Sequence, residues 1–191
     1  MLRPLLAAAF VAALTAPVLA ADYVVDANHT QATFTVTHLA ISRVSGKVPV
    51  TSGTVSLGAN DVPTAISMTL SAKDIDTQSA DRDRDLRSAD WFDTDKFPTM
   101  TFVAKTVTGS PQALSIVGDL TMHGVTKPVT FTAKEIGKMT DQRGRTHVGY
   151  SATTTLDRRN WGLNWGRTTP GGSLVAGNDV SIDLNVELVS K

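Results

Sequence analysis

The sequence predicts an all-β domain: about eight antiparallel strands in one sheet, closed into a barrel or folded into a sandwich, with one short helix. Three observations carry this. Apolar and polar residues alternate with period two through most of the chain, as half-buried strands do. Turn residues punctuate the alternation, and no long helical stretch lies between the runs. Closure is favoured because it removes the sheet edges that invite aggregation.

The chain opens with MLRPLLAAAFVAALTAPVLAADYVV. Arg3, the short apolar run Leu5 to Leu14 and the small residues before Ala21 have the layout of a secretory leader, residues 1–20, cut after Ala20. Residues 21–191 then form a single domain of 171 residues, with 17 basic residues against 18 acidic ones. That near-neutral balance gives no footprint for nucleic acid, and no later segment is apolar for long enough to insert stably in a membrane. The chain has no cysteine, which excludes thiol catalysis, disulfides and a lipid anchor on cysteine.

Along the domain, Phe34, Val36 and His38 face one way and Thr33, Thr35 and Thr37 the other; Ile66, Met68 and Leu70 alternate with Ser67, Thr69 and Ser71. Met100, Phe102 and Ala104 share a face, followed by Leu114, Ile116, Leu120 and Met122, and then Val129, Phe131 and Ala133. Val148, Tyr150, Ala152 and Leu156 come next, and the last run sets Val180, Ile182, Leu184, Val186 and Leu188 against Ser181, Asp183, Asn185 and Glu187. Turns are expected at Gly53, Gly58 to Asn60, Gly109 to Pro111, His123-Gly124, Asp141 to Gly144 and Pro170 to Gly172. Pro128 must sit where no ladder N–H is needed. The helix is expected from about Ser79 to Arg87, with Ser79 capping its first turn.

Motifs for chemistry are missing. A calcium loop begun at Asp81 would need Gly at its sixth place and Glu at its twelfth, where Leu86 and Phe92 stand. The histidines, at 29, 38, 123 and 147, have no metal spacing, and no G-x-S-x-G, G-x-G-x-x-G or Walker loop occurs. No metal, no cofactor and no enzymatic activity are therefore expected. Three clusters exceed what a plain barrel requires: DRDRDLRSADWFDTD (81–95), with six Asp and three Arg, then LTMHGVTKPVTF (120–131) and RRNWGLNWGR (158–167). Each fits either a solvated turn with aromatic plugs or a polar rim around an apolar mouth. The inward residues fit a filled core as well as a ligand tunnel.

In this order the clusters resemble the YceI-like family of periplasmic polyisoprenoid-binding proteins. YVVDANHTQATFTVTHL is similar to the family's opening, with Asp26, His29, Phe34, Val36 and His38 in place. RDRDLRSADWFDTDKFPTMTF carries Arg82, Asp83, Leu86, Arg87, Ser88, Ala89, Asp90 and Pro98 in register. GDLTMHGVTKPVTF, from Gly118, and LDRRNWGLNW follow. Asp85 stands where many relatives carry His, and Gly46-Lys47-Val48 lacks the aromatic usual after Gly-x.

The resemblance implies a lipocalin-like antiparallel barrel with a short helix and loop across one end. It further implies an apolar tunnel for an isoprenoid chain such as a quinone or polyprenyl tail, no catalytic role and a periplasmic location. Pattern and resemblance together nominate an apolar lining of Phe34, Val36, Ile66, Met68, Leu70, Met100, Phe102, Leu120, Met122, Phe131 and Tyr150, with Trp91, Phe92, Phe97, Trp161, Leu163 and Trp165 from the clusters. His29, His38, Arg82, Asp83 and Arg87 are nominated as the polar mouth, with Arg82 and Arg87 pairing neighbouring carboxylates. The partner expected is the lipid; a homodimer is admitted. The alternative is a non-binding stress or structural protein whose barrel is filled by its own side chains. An enzyme on a small apolar substrate has least support.

Overall fold

The structure is a computed structural model and describes residues 21–191; the expected leader, residues 1–20, lies outside the described residues. Ten strands make one antiparallel sheet: β1 Ala21–Val25, β2 Gln31–His38, β3 Ser42–Lys47, β4 Val50–Leu57, β5 Pro63–Ser71, β6 Thr99–Ser110, β7 Ala113–Met122, β8 Val125–Thr140, β9 Thr146–Asp157 and β10 Ala176–Ser190. The order is β1-β4-β5-β6-β7-β8-β9-β10-β2-β3, and β1 also pairs β10. Those pairings close an eight-stranded barrel.

The expected eight strands become ten segments because two are broken. β1 and β2 follow one another along the same edge of β10, at Val25↔Leu188 and Gln31↔Asn185. The break is a turn held by the Asp26 carboxylate, which accepts the Asn28 N–H at 2.9 Å. β3 and β4 run alongside in the same way, pairing β2 and β1. Their break falls at Val48-Pro49, where proline has no N–H to give a ladder.

The inward faces match the alternation: Val129, Phe131, Ala133, Val148, Tyr150, Ala152 and Leu156 are all buried in one core. His123-Gly124 forms the two-residue β7–β8 hairpin with φ of 50° and 72°, the left-handed pair that glycine eases. Pro128 faces Asp119 of β7, in the part of β8 that precedes its pairing with β9 at Thr132. Gly53 is not a turn. It lies inside β4, and a Cβ there would stand 2.6 Å from a Val25 methyl, so close packing of β1 explains the glycine.

The helix, α1, spans Ala80–Arg87. Asp81 and Asp83 in its first turn and Arg84 and Arg87 in its last complement the helix dipole. Ser79 occupies the N-cap position, but its side chain makes no capping bond.

Candidate functional site

The barrel's two halves differ. Where β1, β4 and β5 pair continuously, Leu57, Leu114, Val148 and Leu188 fill the interior with their own side chains. In the other half β3 pairs only with β2, apart from one bridge between Lys47 and Asp76. Among the described residues, no strand flanks its outer edge there, and residues 72–98, with α1, cover the opening.

Beneath that cover lies a cavity of about 310 Å³. A smaller one of about 80 Å³ continues toward the packed half, and Phe131 and Leu184 line both. Among the nominated lining residues, Phe34, Val36, Leu70, Trp91, Phe92, Met100, Leu120, Met122, Phe131, Leu163 and Trp165 face the larger cavity. Ile66, Met68, Phe102 and Tyr150 face the smaller, where the Phe102 and Phe131 rings meet edge to face at 5.2 Å. Two nominated aromatics face neither. Trp161 is buried beside the cavity with Nε1 donating to the Leu120 carbonyl at 3.0 Å, and Phe97 packs edge-on against His123.

The polar residues divide. His38 and Arg82 line the larger cavity. Asp83 is buried behind it, accepting from the Thr77 N–H at 2.9 Å and the Thr77 hydroxyl at 2.6 Å. The same hydroxyl accepts from Arg82 Nε at 2.7 Å, so Thr77 stitches the loop to the helix. Arg82 and Arg87 do not pair with carboxylates as expected. Arg82 Nη2 donates to the Thr77 carbonyl at 2.8 Å and Arg87 Nη1 to that of Ile75 at 3.3 Å, because the loop folds back over the helix and presents carbonyls first.

His29 is not at the mouth. It lies in the β1–β2 bend at the opposite end of β2 from His38, bonded to Asp26 at 2.9 Å. Its surroundings form a second polar cluster on the outer wall. Asp26, His29 and Glu187 lie close together, and His147 bridges Glu187 at 2.8 Å and Asp141 at 3.3 Å. The hydrogen bonds that the His147 ring donates to the Glu187 and Asp141 carboxylates raise its pKa, and Asp26 raises that of His29.

Sequence reading missed the most deeply buried charged residue of the mouth. Arg158 begins the short 3₁₀ helix Arg158–Trp161, is only 4% exposed and lines the larger cavity. Its guanidinium lies 5.3 Å from the Trp91 ring, which in turn packs against Trp165 at 4.9 Å. A basic residue in an Arg-rich run looks solvated in a sequence; the signal available was its place between inward Leu156 and buried Trp161.

The YceI-like domain family matches residues 23–188, which include every strand that lines the cavities. The chain belongs to the YceI-like family. A UPF0312 protein of Shewanella baltica (strain OS185) is 37% identical over 198 residues, covering 100% of both chains. Another, from Vibrio cholerae (strain O395), is 33% identical with the same coverage. The fold is shared with the Campylobacter jejuni YCEI protein, at 24% identity and TM-score 0.68 over 81% of this chain and 90% of that one. It is also shared with a polyisoprenoid binding domain from Saccharophagus degradans, at 12% identity and TM-score 0.63 over 88% and 98%. The YceI-like barrel is thus one closed, eight-stranded antiparallel sheet in this chain too. Among the described residues, no helix is long and apolar enough to cross a membrane.

Proposed function

We propose that this protein is a periplasmic carrier that holds the chain of an isoprenoid lipid, a quinone or polyprenyl tail, inside its barrel. The observation that carries the reading is the larger cavity: about 310 Å³ bounded mainly by apolar side chains, in a fold with no packing need for the void. Family membership and the likeness to a polyisoprenoid binding domain support it. The apolar leader expected at residues 1–20 supports export.

Burial supplies the affinity. Each CH₂ removed from water contributes about 0.8 kcal/mol, so a five-carbon isoprene unit contributes about 4 kcal/mol. Micromolar binding needs about 8 kcal/mol plus the cost of ordering a flexible chain, which a few buried units reach. Nothing in this role needs a bond made or broken. The protein binds, screens the chain from water and releases it.

Trp91 and Trp165 line the cavity, so binding has an intrinsic optical signal. Titration with a long-chain isoprenoid quinone should quench tryptophan emission and raise the melting temperature, and Met100→Glu should abolish both while the variant stays folded. Wild-type protein whose emission and melting temperature ignore the lipid would overturn the reading.

A further inference from the structure

Arg158 is a buried cation whose hydrogen-bond acceptors are all neutral. Its Nε donates to the Gly177 carbonyl at 2.9 Å and its Nη1 to that of Leu163. Nη2 donates to the carbonyls of Trp165 at 2.8 Å and Ala176 at 3.2 Å, and to Asn178 Oδ1 at 3.1 Å. The neighbouring carboxylate, Asp157, is engaged by Arg159, whose Nε donates to both of its oxygens at 2.9 and 3.0 Å. A guanidinium so placed has four of its five N–H groups bonded to neutral oxygens and shares the field of Asp157 with Arg159, and a buried charge is screened far less than an exposed one.

Arg82, on the other side of the mouth, directs Nε and Nη2 to Thr77; among the described residues its Nη1 has no hydrogen-bond partner. Both arginines line the larger cavity. The carboxylate that also lines it, Asp85, is exposed, so water screens it at the rim while Arg158 acts from within. His38 completes the titratable lining.

Resting on the reading above, we infer that the cavity selects single-chain isoprenoids with an anionic head, a phosphate ester or a carboxylate, over neutral-headed ones. Arg82 Nη1 supplies the direct, charge-assisted hydrogen bond. Arg158 keeps one Nη1 N–H beyond its bond to Leu163 and contributes mainly through its field. The Trp91 and Trp165 rings form the wall between head and chain. Burial of the chain is common to every isoprenoid, so the head group sets the order of preference.

The test compares geranylgeranyl phosphate, geranylgeranoic acid and geranylgeraniol, which share one chain, by tryptophan quenching and native mass spectrometry on the mature protein. One or both anions should bind at least about tenfold tighter than the alcohol, and which of them does so tells phosphate from carboxylate. Arg82→Gln should shrink that gap by weakening the anions more than the alcohol. Asp85→Asn, at an exposed position on the rim, should widen it. Equal affinity for all three would overturn the inference and leave the carrier reading standing, as would a gap untouched by both variants. Binding of none would overturn the carrier reading itself.

Discussion

One sheet builds two unlike halves. In the half bounded by β1, β4 and β5 the hydrogen-bonded ring is continuous, and Val148 and Leu188, 0% and 1% exposed, close the interior. In the half bounded by β2 and β3 the ring is open at the β3 edge. A charged segment of loop and helix replaces a strand, and the interior holds a cavity. The difference teaches that closure by backbone pairing draws walls together until side chains fill the space. Closure by a tethered segment leaves them apart. The tether is specific: Lys47 and Asp76 exchange both backbone bonds, at 2.7 and 3.0 Å, and Thr77 links the loop to Arg82 and Asp83.

The largest effect should come from equal deletions in the two halves. Leu188→Ala, in the filled half, should cost stability near the top of the about 2–5 kcal/mol range for buried leucine, while Leu70→Ala, facing a void, should fall at or below its bottom. Urea unfolding measures both, and equal losses would erase the distinction between the halves. A smaller cost should follow Gly46→Ala. A Cβ there would meet the Phe34 ring at 2.5 Å and the Thr77 methyl at 2.7 Å, pushing both toward the cavity. Its expected price is about 1–3 kcal/mol, with a matching loss of lipid capacity; retained capacity would show that the ring moves elsewhere.

Residues 72–98 are the natural gate for lipid exchange. Lys47 and Asp76 are a hydrogen-bonded antiparallel pair, a spacing that a disulfide can bridge, and the chain has no cysteine to compete. The double variant Lys47→Cys/Asp76→Cys should exchange lipid several-fold more slowly when oxidised and normally when reduced. Unchanged exchange in the oxidised form would place the gate elsewhere.

The smallest effect concerns the filled half. His147 has its pKa raised above the ordinary 6.5 by Glu187 and Asp141, as His29 has by Asp26. A raised pKa means that the folded state holds the proton more tightly than the unfolded chain. The stabilisation is complete below 6.5 and is lost as pH rises through the folded values. The melting temperature should therefore decline as pH climbs from about 6 to about 8, and His147→Gln should flatten the slope. A slope unaffected by that change would assign it to other groups.

Much of this was legible in the sequence, for a physical reason. Period-two alternation reports which side of a sheet a residue faces, so the inward lists around Phe34, Met68, Phe102, Phe131 and Tyr150 hold. So does the charged segment lying across one end. What pairs with what was not legible. His29 and His38 lie nine residues apart, yet a strand carries them to opposite ends. Arg82 and Arg87 sit among carboxylates in the sequence but meet carbonyls in the fold. Arg158 owes its burial to acceptors from residues 163 to 178, which no local pattern encodes.

The central claim, that the open half is shaped to hold a lipid, is met most directly by native mass spectrometry of protein purified without detergent, followed by solvent extraction and identification of what is released. A discrete added mass that resolves to an isoprenoid, and that is lost in Met100→Glu, is the result predicted. A bare protein mass that stays bare after incubation with isoprenoids would contradict it and leave a barrel that binds nothing.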